Sequence, residues 1–186
     1  MKILISGNNK KGLAKELYKL YPNATFCSRE NAFDLTTKSH QEQFANLSLE
    51  HDIIIINAAL WKFNQTILLD VVYKTCQDNK HYPHIIVIGS TTDRVKNGKT
   101  WLYNAEKKAL RDYANTCAIN SVWGLGPKVS YISFGTLSNN KEKHPDRKCL
   151  DINEAAEYIK WLTNLPKCVN INEISIDPMQ GNNWYD

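Results

Sequence analysis

Tyr103 and Lys107 stand four residues apart in the segment WLYNAEKKAL, residues 101–110. Apolar residues recur here at helical spacing, which predicts a helix, and residues four apart lie on one helix face. A phenol with its ordinary pKa of about 10 is a poor base at neutral pH, but an adjacent ammonium group favours the phenolate and lowers that pKa. The pair could therefore exchange a proton with a substrate. Surface pairs with this spacing are common, so the interpretation depends on what surrounds the two residues.

Composition indicates an ordinary globular protein. The chain has 186 residues, which fits one domain, and 42% hydrophobic with 23% charged residues excludes disorder and membrane spans. The net charge of +4 is mild and mostly scattered, so neither nucleic acid nor a membrane is an expected partner. Five cysteines show no metal-ligand spacing, so we expect reduced thiols and no metal site. Since "KILISG" opens the chain without a signal-peptide layout, a cytoplasmic location is expected.

Short apolar runs alternate with amphipathic stripes along the whole chain. The runs predict strands at residues 2–6, 24–27, 53–56, 85–88, 129–134 and 173–176. Continuous runs such as IIII suit strands that are buried on both faces of a parallel sheet. The alternation predicts an α/β fold: a single domain with a Rossmann-like, doubly wound parallel sheet and helices on both faces.

Such a sheet binds its ligand beyond the carboxyl ends of the strands. The first strand runs into SGNNKKGLAKEL, where Gly7 suits a tight turn and Gly12 the start of a helix. The exposed N–H groups of a helix start favour a phosphate. The spacing fits neither the GxGxxG fingerprint nor a P-loop, so this segment alone is as compatible with a plain turn.

Several segments together resemble the short-chain dehydrogenase/reductase family over nearly the whole chain. SGNNKKGLA is similar to the family's TGxxxGxG without its middle glycine, IINAAL is similar to NNAG, and ISFGTLSN is similar to PGxVxT. Ser90 precedes Tyr103 by thirteen residues, as the family's catalytic serine does, and Asn64 lies 26 residues before Ser90, near the place of the family's asparagine. The order and spacing of these segments carry the resemblance. Thr91 and Thr92 are alternative candidates for the serine's role.

The resemblance implies a role for each of these residues. Tyr103 would be the acid/base, Ser90 would orient the reacting oxygen, Lys107 would act on the Tyr103 phenol and hold the nicotinamide ribose, and Asn64 would continue the proton path. The residues that would contact the dinucleotide are Gly7, Asn9, Lys10, Gly12, Leu13, Ser28, Arg29, Asp34, Leu35, Asn57, Ala58, Ala59, Tyr103, Lys107, Gly135 and Leu137.

Arg29 bears on the choice of cofactor. It follows the second predicted strand, where NADP-using family members carry a basic residue, and an arginine can bind a 2′-phosphate with two hydrogen bonds. We therefore expect NADP(H) as the cofactor, with NAD(H) as the alternative. The non-functional explanation of Arg29 is that it is simply exposed in a loop.

Substrate and partners follow from the resemblance alone. It implies a small carbonyl or alcohol substrate and a homodimer or homotetramer that pairs through residues 66–80 and 101–117. The chain is short for the family. The stretch between Ala59 and Ile86 has room for one helix, and only a polar loop follows Gly135. This shortening and the altered glycine segment favour the alternative of a dinucleotide-binding module without catalysis.

Overall fold

The computed structural model describes residues 1–94 and 101–181. Its strands form one parallel sheet in the order β2-β1-β3-β4-β5-β6. All of the predicted strands are present, with small shifts at their ends. Their bounds are Ile3–Ser6 (β1), Thr25–Cys27 (β2), Ile53–Ile56 (β3), His84–Ser90 (β4), Lys128–Phe134 (β5) and Glu173–Ile176 (β6).

Five α-helices surround the sheet in the described residues: Gly12–Leu20 (α1), Lys38–Ser48 (α2), Asn64–Asp78 (α3), Leu102–Val122 (α4) and Ile152–Thr163 (α5). Short 3-10 helices lie at Arg29–Asn31, Thr91–Arg94 and Ser138–Lys143. None of the described helices is long and apolar enough to cross a membrane.

The sequence patterns did not predict α2. Its sequence, KSHQEQFANLS, is mostly polar, and its buried face combines Phe44 and Ala45 with Gln41 and Ser48. The two polar side chains satisfy their hydrogen bonds inside the protein: Gln41 donates to the Leu35 carbonyl and Ser48 to the Ala45 carbonyl. A helix whose inner face carries such residues lacks a clear apolar stripe.

Two apolar cores lie on opposite faces of the sheet, which confirms the predicted architecture. One core packs α2, α3 and α4 against strand residues such as Ile54 and Ile56. The other packs α1 and α5 against Ile53 and Ile55. Successive strand residues point to opposite faces, so the run IIII is buried throughout because each face is covered by helices.

The chain reverses its winding direction between β1 and β3. The order places β2 on one side of β1 and all later strands on the other side. In open α/β sheets the crevice at such a reversal, beyond the carboxyl ends of the strands, is where ligands bind. The fold therefore places the ends of β1 and β3 at the centre of a candidate site.

Replacing Ile55 by alanine tests this packing. Ile55 is fully buried in β3, and truncating such a side chain leaves a cavity that costs about 2–5 kcal/mol of the free energy of unfolding. Ile67→Ala is the matched control, since that side chain on α3 is 44% exposed and should change stability by less than about 0.5 kcal/mol. Urea denaturation measures both, and equal losses would show that Ile55 is not a core residue.

Candidate active site

Two neighbouring cavities open at the carboxyl ends of the strands. The first has a volume of about 530 Å³ and lies over the ends of β1, β2 and β3. The second, of about 430 Å³, lies over the ends of β4 and β5. Leu13, Asn57 and Ala59 line both cavities. The two cavities are therefore adjoining halves of one cleft across the point where the winding reverses.

Ser6, Gly7 and Asn57 lie together where β1 and β3 end, next to the two cavities. The Ser6 hydroxyl accepts hydrogen bonds from the N–H groups of Asn57 and Ala58, at 2.9 and 3.1 Å. Gly7 has φ +146°, and a Cβ there would come within 2.7 Å of the Asn57 amide nitrogen. A side chain at position 7 would thus push the Asn57 side chain out of place, so glycine is required where β1 and β3 end.

The start of α1 presents free backbone N–H groups to the first cavity. Gly12 begins the helix with φ +54°, and the preceding Lys11 makes no side-chain capping bond. The first N–H groups of a helix have no partner within it and favour an anion. The loop before the helix places Asn8 and Lys11 against the cavity, whereas the predicted Asn9 and Lys10 are not among its lining residues. Lys10 instead lies 4.0 Å from Glu30.

The loop after β2 forms the outer wall of the first cavity. Ser28, Arg29 and Leu35 line it as predicted, together with Phe33. The guanidinium of Arg29 is well exposed and its Nε lies 3.6 Å from Asp34. Asp34 itself does not line the cavity. Its pKa is lowered mainly by hydrogen bonds from the hydroxyl and N–H of Thr36, so Asp34 holds the loop and Arg29 rather than facing the cavity.

The second cavity brings together Ser90, Tyr103 and Lys107. The Ser90 hydroxyl lies near enough to the Tyr103 phenol to lower its pKa. The Tyr103 ring lies between Trp61 and Trp101, with ring centroids 5.2 and 5.8 Å away. Lys107 Nζ lies 5.4 Å from the centroid of the Tyr103 ring. Residues from β4 and α4 thus meet in one place, with the phenol among aromatic rings.

Thr91 and Thr92 have other partners. The Thr91 hydroxyl donates to Asp177 at 2.7 Å, and the Thr92 hydroxyl donates to Asn104. Of the three hydroxyls that end β4 and follow it, the one on Ser90 is therefore the one near the phenol.

The electrostatics of the pair differ from the sequence-based expectation of a lowered phenol pKa. Burial raises the pKa of Tyr103, and the nearby Ser90 hydroxyl opposes that rise. Burial lowers the pKa of Lys107 to about 8, although the negative charges of Glu106 and Asp93 act to raise it. Burial is the larger influence on both groups because neither is paired closely with an opposite charge. Tyr103 is consequently protonated at neutral pH and is equipped to donate a proton.

Gln65 is a residue of this site that the sequence analysis did not identify. It is 3% exposed, and its Oε1 accepts a hydrogen bond of 2.6 Å from Lys107 Nζ. Its Nε2 donates to the carbonyls of Ile56 and Ile88, at 3.3 and 2.8 Å. One side-chain amide therefore joins the lysine to the ends of β3 and β4. Its position at the start of a helix was the only sequence signal.

Asn64, the neighbouring residue, lines neither cavity. Its Nδ2 donates to the Trp61 carbonyl at 2.7 Å, and its Oδ1 accepts from Gln41 at 3.4 Å. The side chain thus fixes the loop before α3 to α2. It is Gln65, one position later on the helix, that reaches the lysine.

Gly89 and Tyr131 set the direction in which β4 ends. A Cβ on Gly89 would come within 1.9 Å of the Tyr131 hydroxyl, which donates to the buried Asp93 at 2.8 Å. The hydroxyl occupies the space beneath the strand just before Ser90. This contact holds the strand end and the following turn together, and so positions Ser90.

The segment after β5 completes the second cavity. The predicted Gly135 and Leu137 line it, as do Asn140, His144 and Arg147. Ala58 lines the first cavity, so among the predicted site residues only Asn9, Lys10, Asp34 and Asn64 do not border the cleft. The part of the chain that the structure describes contains no group of three or more His, Cys, Asp and Glu residues placed to hold a metal ion.

Comparison with known proteins gives matches in structure but not in sequence. No family model matches the chain, and neither does any curated protein. The structure is similar to the closed form of a serine dehydrogenase complexed with NADP+, with a TM-score of 0.73, 15% identity, and 95% of this chain and 94% of the other covered.

Two further solved structures are similar over the same extent. A short-chain dehydrogenase from Burkholderia cenocepacia in complex with NADP has a TM-score of 0.71 and 13% identity, covering 93% of this chain and 86% of the other. A short-chain type dehydrogenase/reductase from Mycobacterium marinum has a TM-score of 0.74 and 14% identity, covering 95% and 93%. At such identities the likeness concerns the fold. The chain has the Rossmann-like fold of short-chain dehydrogenases/reductases, as its motifs predicted.

Proposed function

We propose that this protein is an oxidoreductase of the short-chain dehydrogenase/reductase type, which transfers a hydride between NADP(H) and a small carbonyl or alcohol. The observation that carries the proposal is the meeting of Ser90, Tyr103 and Lys107 in a cavity that adjoins the first, phosphate-suited cavity. Proteins of this fold perform many reactions, so the proposal rests on these side chains and their surroundings rather than on the fold.

The first cavity fits the adenosine and phosphate portion of a dinucleotide. The uncapped start of α1 offers N–H groups to a phosphate, and the small Ala58 and Ala59 leave room against the backbone. Arg29 has an exposed guanidinium at the rim that could bind a 2′-phosphate. Solved structures of this fold with bound NADP support the cofactor class. When bound, the cofactor supplies the hydride.

The chain's own residues handle the proton. Tyr103 holds a proton at Oη and donates it to the carbonyl oxygen during reduction, or removes the alcohol proton during oxidation. Ser90 orients that oxygen by hydrogen bonding. The ammonium of Lys107 stabilises the phenolate that remains after donation, and Gln65 holds the ammonium in place at 2.6 Å.

Tyr103→Phe removes the proton donor and keeps the ring. We expect carbonyl reduction with NADPH to fall by about 10²–10⁴-fold, the usual contribution of a positioned acid. Tyr158→Phe on α5 is the control, because that side chain lies outside both cavities and should leave turnover unchanged. Steady-state assays over a panel of small aldehydes and ketones measure the effect. Equal rates for Tyr103→Phe and wild type would remove Tyr103 from the mechanism, and NADPH binding without any turnover would favour the non-catalytic module.

Arg29→Ala tests the cofactor preference. Loss of a charge-assisted contact with the 2′-phosphate should weaken NADPH binding by about 10–100-fold. NADH lacks that phosphate, so its affinity should change by less than about 3-fold. Fluorescence titration of both cofactors against both proteins gives the ratio. An unchanged ratio would mean that Arg29 does not bind the 2′-phosphate.

The pH dependence of reduction tests Lys107. Burial lowers its pKa to about 8, so its ammonium loses a proton as the pH rises through that value, while Tyr103, with its raised pKa, stays protonated. We expect kcat/KM for NADPH, which reports the free protein, to be level below that pKa and to fall roughly tenfold per pH unit above it. Stopped assays between about pH 6 and about pH 10 cover the range.

Lys107→Arg provides the control for this profile. A guanidinium keeps its charge throughout the range, so the residual activity of this variant should lack the alkaline fall. An alkaline fall of the same shape in both proteins would assign it to another group.

A further inference from the structure

Among the described residues that line the second cavity, the charged side chains are basic, and the one carboxylate shown against the lining residues Thr91 and Gly135 is that of Asp177. Lys107 and Arg147 line it together with His144, and none of its described lining residues is an aspartate or glutamate. A cleft lined by one sign of charge raises the local concentration of ligands of the opposite sign. The first cavity differs, because Glu30 is among its lining residues.

Arg147 differs from the other described arginines near the sheet in having no carboxylate partner among the described residues. Arg94 and Arg111 both pair with Glu173, at 3.1 and 2.8 Å, whereas the Arg147 guanidinium forms no ion pair with a carboxylate in residues 1–94 and 101–181. Lys107 differs too, since it is buried and bonded to Gln65. Arg147 is exposed and lines the cavity, so no carboxylate in residues 1–94 and 101–181 has to release it before it binds a ligand.

The backbone around Arg147 is held in place. Its N–H donates to the His144 carbonyl at 3.1 Å. Lys141 Nζ donates to the carbonyls of both Pro145 and Arg147, at 2.8 and 2.7 Å. The lysine thus closes the turn at 144–147 by bonding its backbone rather than by facing the cavity. Arg147 therefore lines the same cavity as Ser90 and Tyr103 from a turn whose backbone is held in place.

We propose that the substrate of this site is a small carbonyl or hydroxy compound that also carries a carboxylate, which Arg147 binds while Ser90 and Tyr103 hold the reacting oxygen. The proposal rests on the oxidoreductase function proposed above and names its substrate class. A guanidinium offers a carboxylate two parallel hydrogen bonds. The cavity of about 430 Å³ lies toward the small end of the range of about 300–1,000 Å³ for ligand pockets. It must also hold the nicotinamide end of the cofactor, so the space left for the substrate fits a short acid.

The test compares matched substrates in wild type and Arg147→Gln. 4-Oxobutanoate and butanal share a four-carbon aldehyde and differ by the carboxylate. We expect wild-type kcat/KM to favour 4-oxobutanoate by about 10–100-fold, and Arg147→Gln to bring that ratio to within about 3-fold of one. Lys143→Gln, which removes a positive charge from the same segment outside the cavity, should keep the wild-type ratio. A ratio near one in wild type, or the same ratio in wild type and Arg147→Gln, overturns the proposal.

A second measurement separates a substrate carboxylate from a cofactor phosphate. NADPH dissociation constants from fluorescence titration should agree between wild type and Arg147→Gln within about 3-fold. If the variant instead weakens NADPH binding and leaves the substrate ratio unchanged, Arg147 binds a cofactor phosphate and the proposal is wrong.

Calorimetry keeps the proposal testable if the proposed oxidoreductase function fails. If neither aldehyde is turned over although NADPH binds, the proposed oxidoreductase function has failed and the anion site is still untested. Titration of 4-oxobutanoate into the NADPH complex then decides the anion site. Binding that is at least about tenfold weaker in Arg147→Gln than in Lys143→Gln supports it, and absence of binding, or equal binding, overturns it.

Discussion

The cleft depends on one buried hydrogen-bonded amide, that of Gln65. An ammonium group taken out of water is costly unless its donors find partners, and Lys107 is only 5% exposed. Gln65 supplies the acceptor and is itself held by the carbonyls of Ile56, which ends β3, and Ile88 in β4. Because the amide bonds both strands and the lysine, the position of α4 is tied to the sheet edge. The phenol on the same helix face is positioned by the same connection.

A second set of contacts keeps that edge open for a ligand. Gly7 leaves space that Asn57 occupies, and Gly89 leaves space that the Tyr131 hydroxyl occupies. In both places a side chain from a neighbouring strand, or from the turn after it, fits against the glycine backbone. The strand ends form the inner part of the cleft, whereas its outer walls include exposed loops, one carrying Arg29 and the other Arg147. Binding residues on loops that a scaffold positions are the usual arrangement of binding sites.

Most of the fold could be predicted because its signals are local. Apolar runs such as IIII mark doubly covered strands, and Leu13 and Leu17 mark the inner face of α1. The polar helix α2 was missed because Gln41 and Ser48 are buried with their hydrogen bonds satisfied by backbone carbonyls, which no local pattern reveals. In the glycine segment, Asn8 and Lys11 line the first cavity, whereas the predicted Asn9 and Lys10 do not. Loop conformation depends on turn geometry that residue spacing does not specify.

The sequence by itself determined the alternation of strands and helices, the glycine at the first turn, and the order and spacing of Ser90, Tyr103 and Lys107. Those features follow from period, residue type and distance along the chain. Only the tertiary structure decided that Gln65 holds the lysine, that burial raises the phenol pKa, and that Arg147 enters the second cavity with its charge unpaired among the described residues. These depend on residues far apart in the chain, because burial and pairing are set by what packing brings into contact.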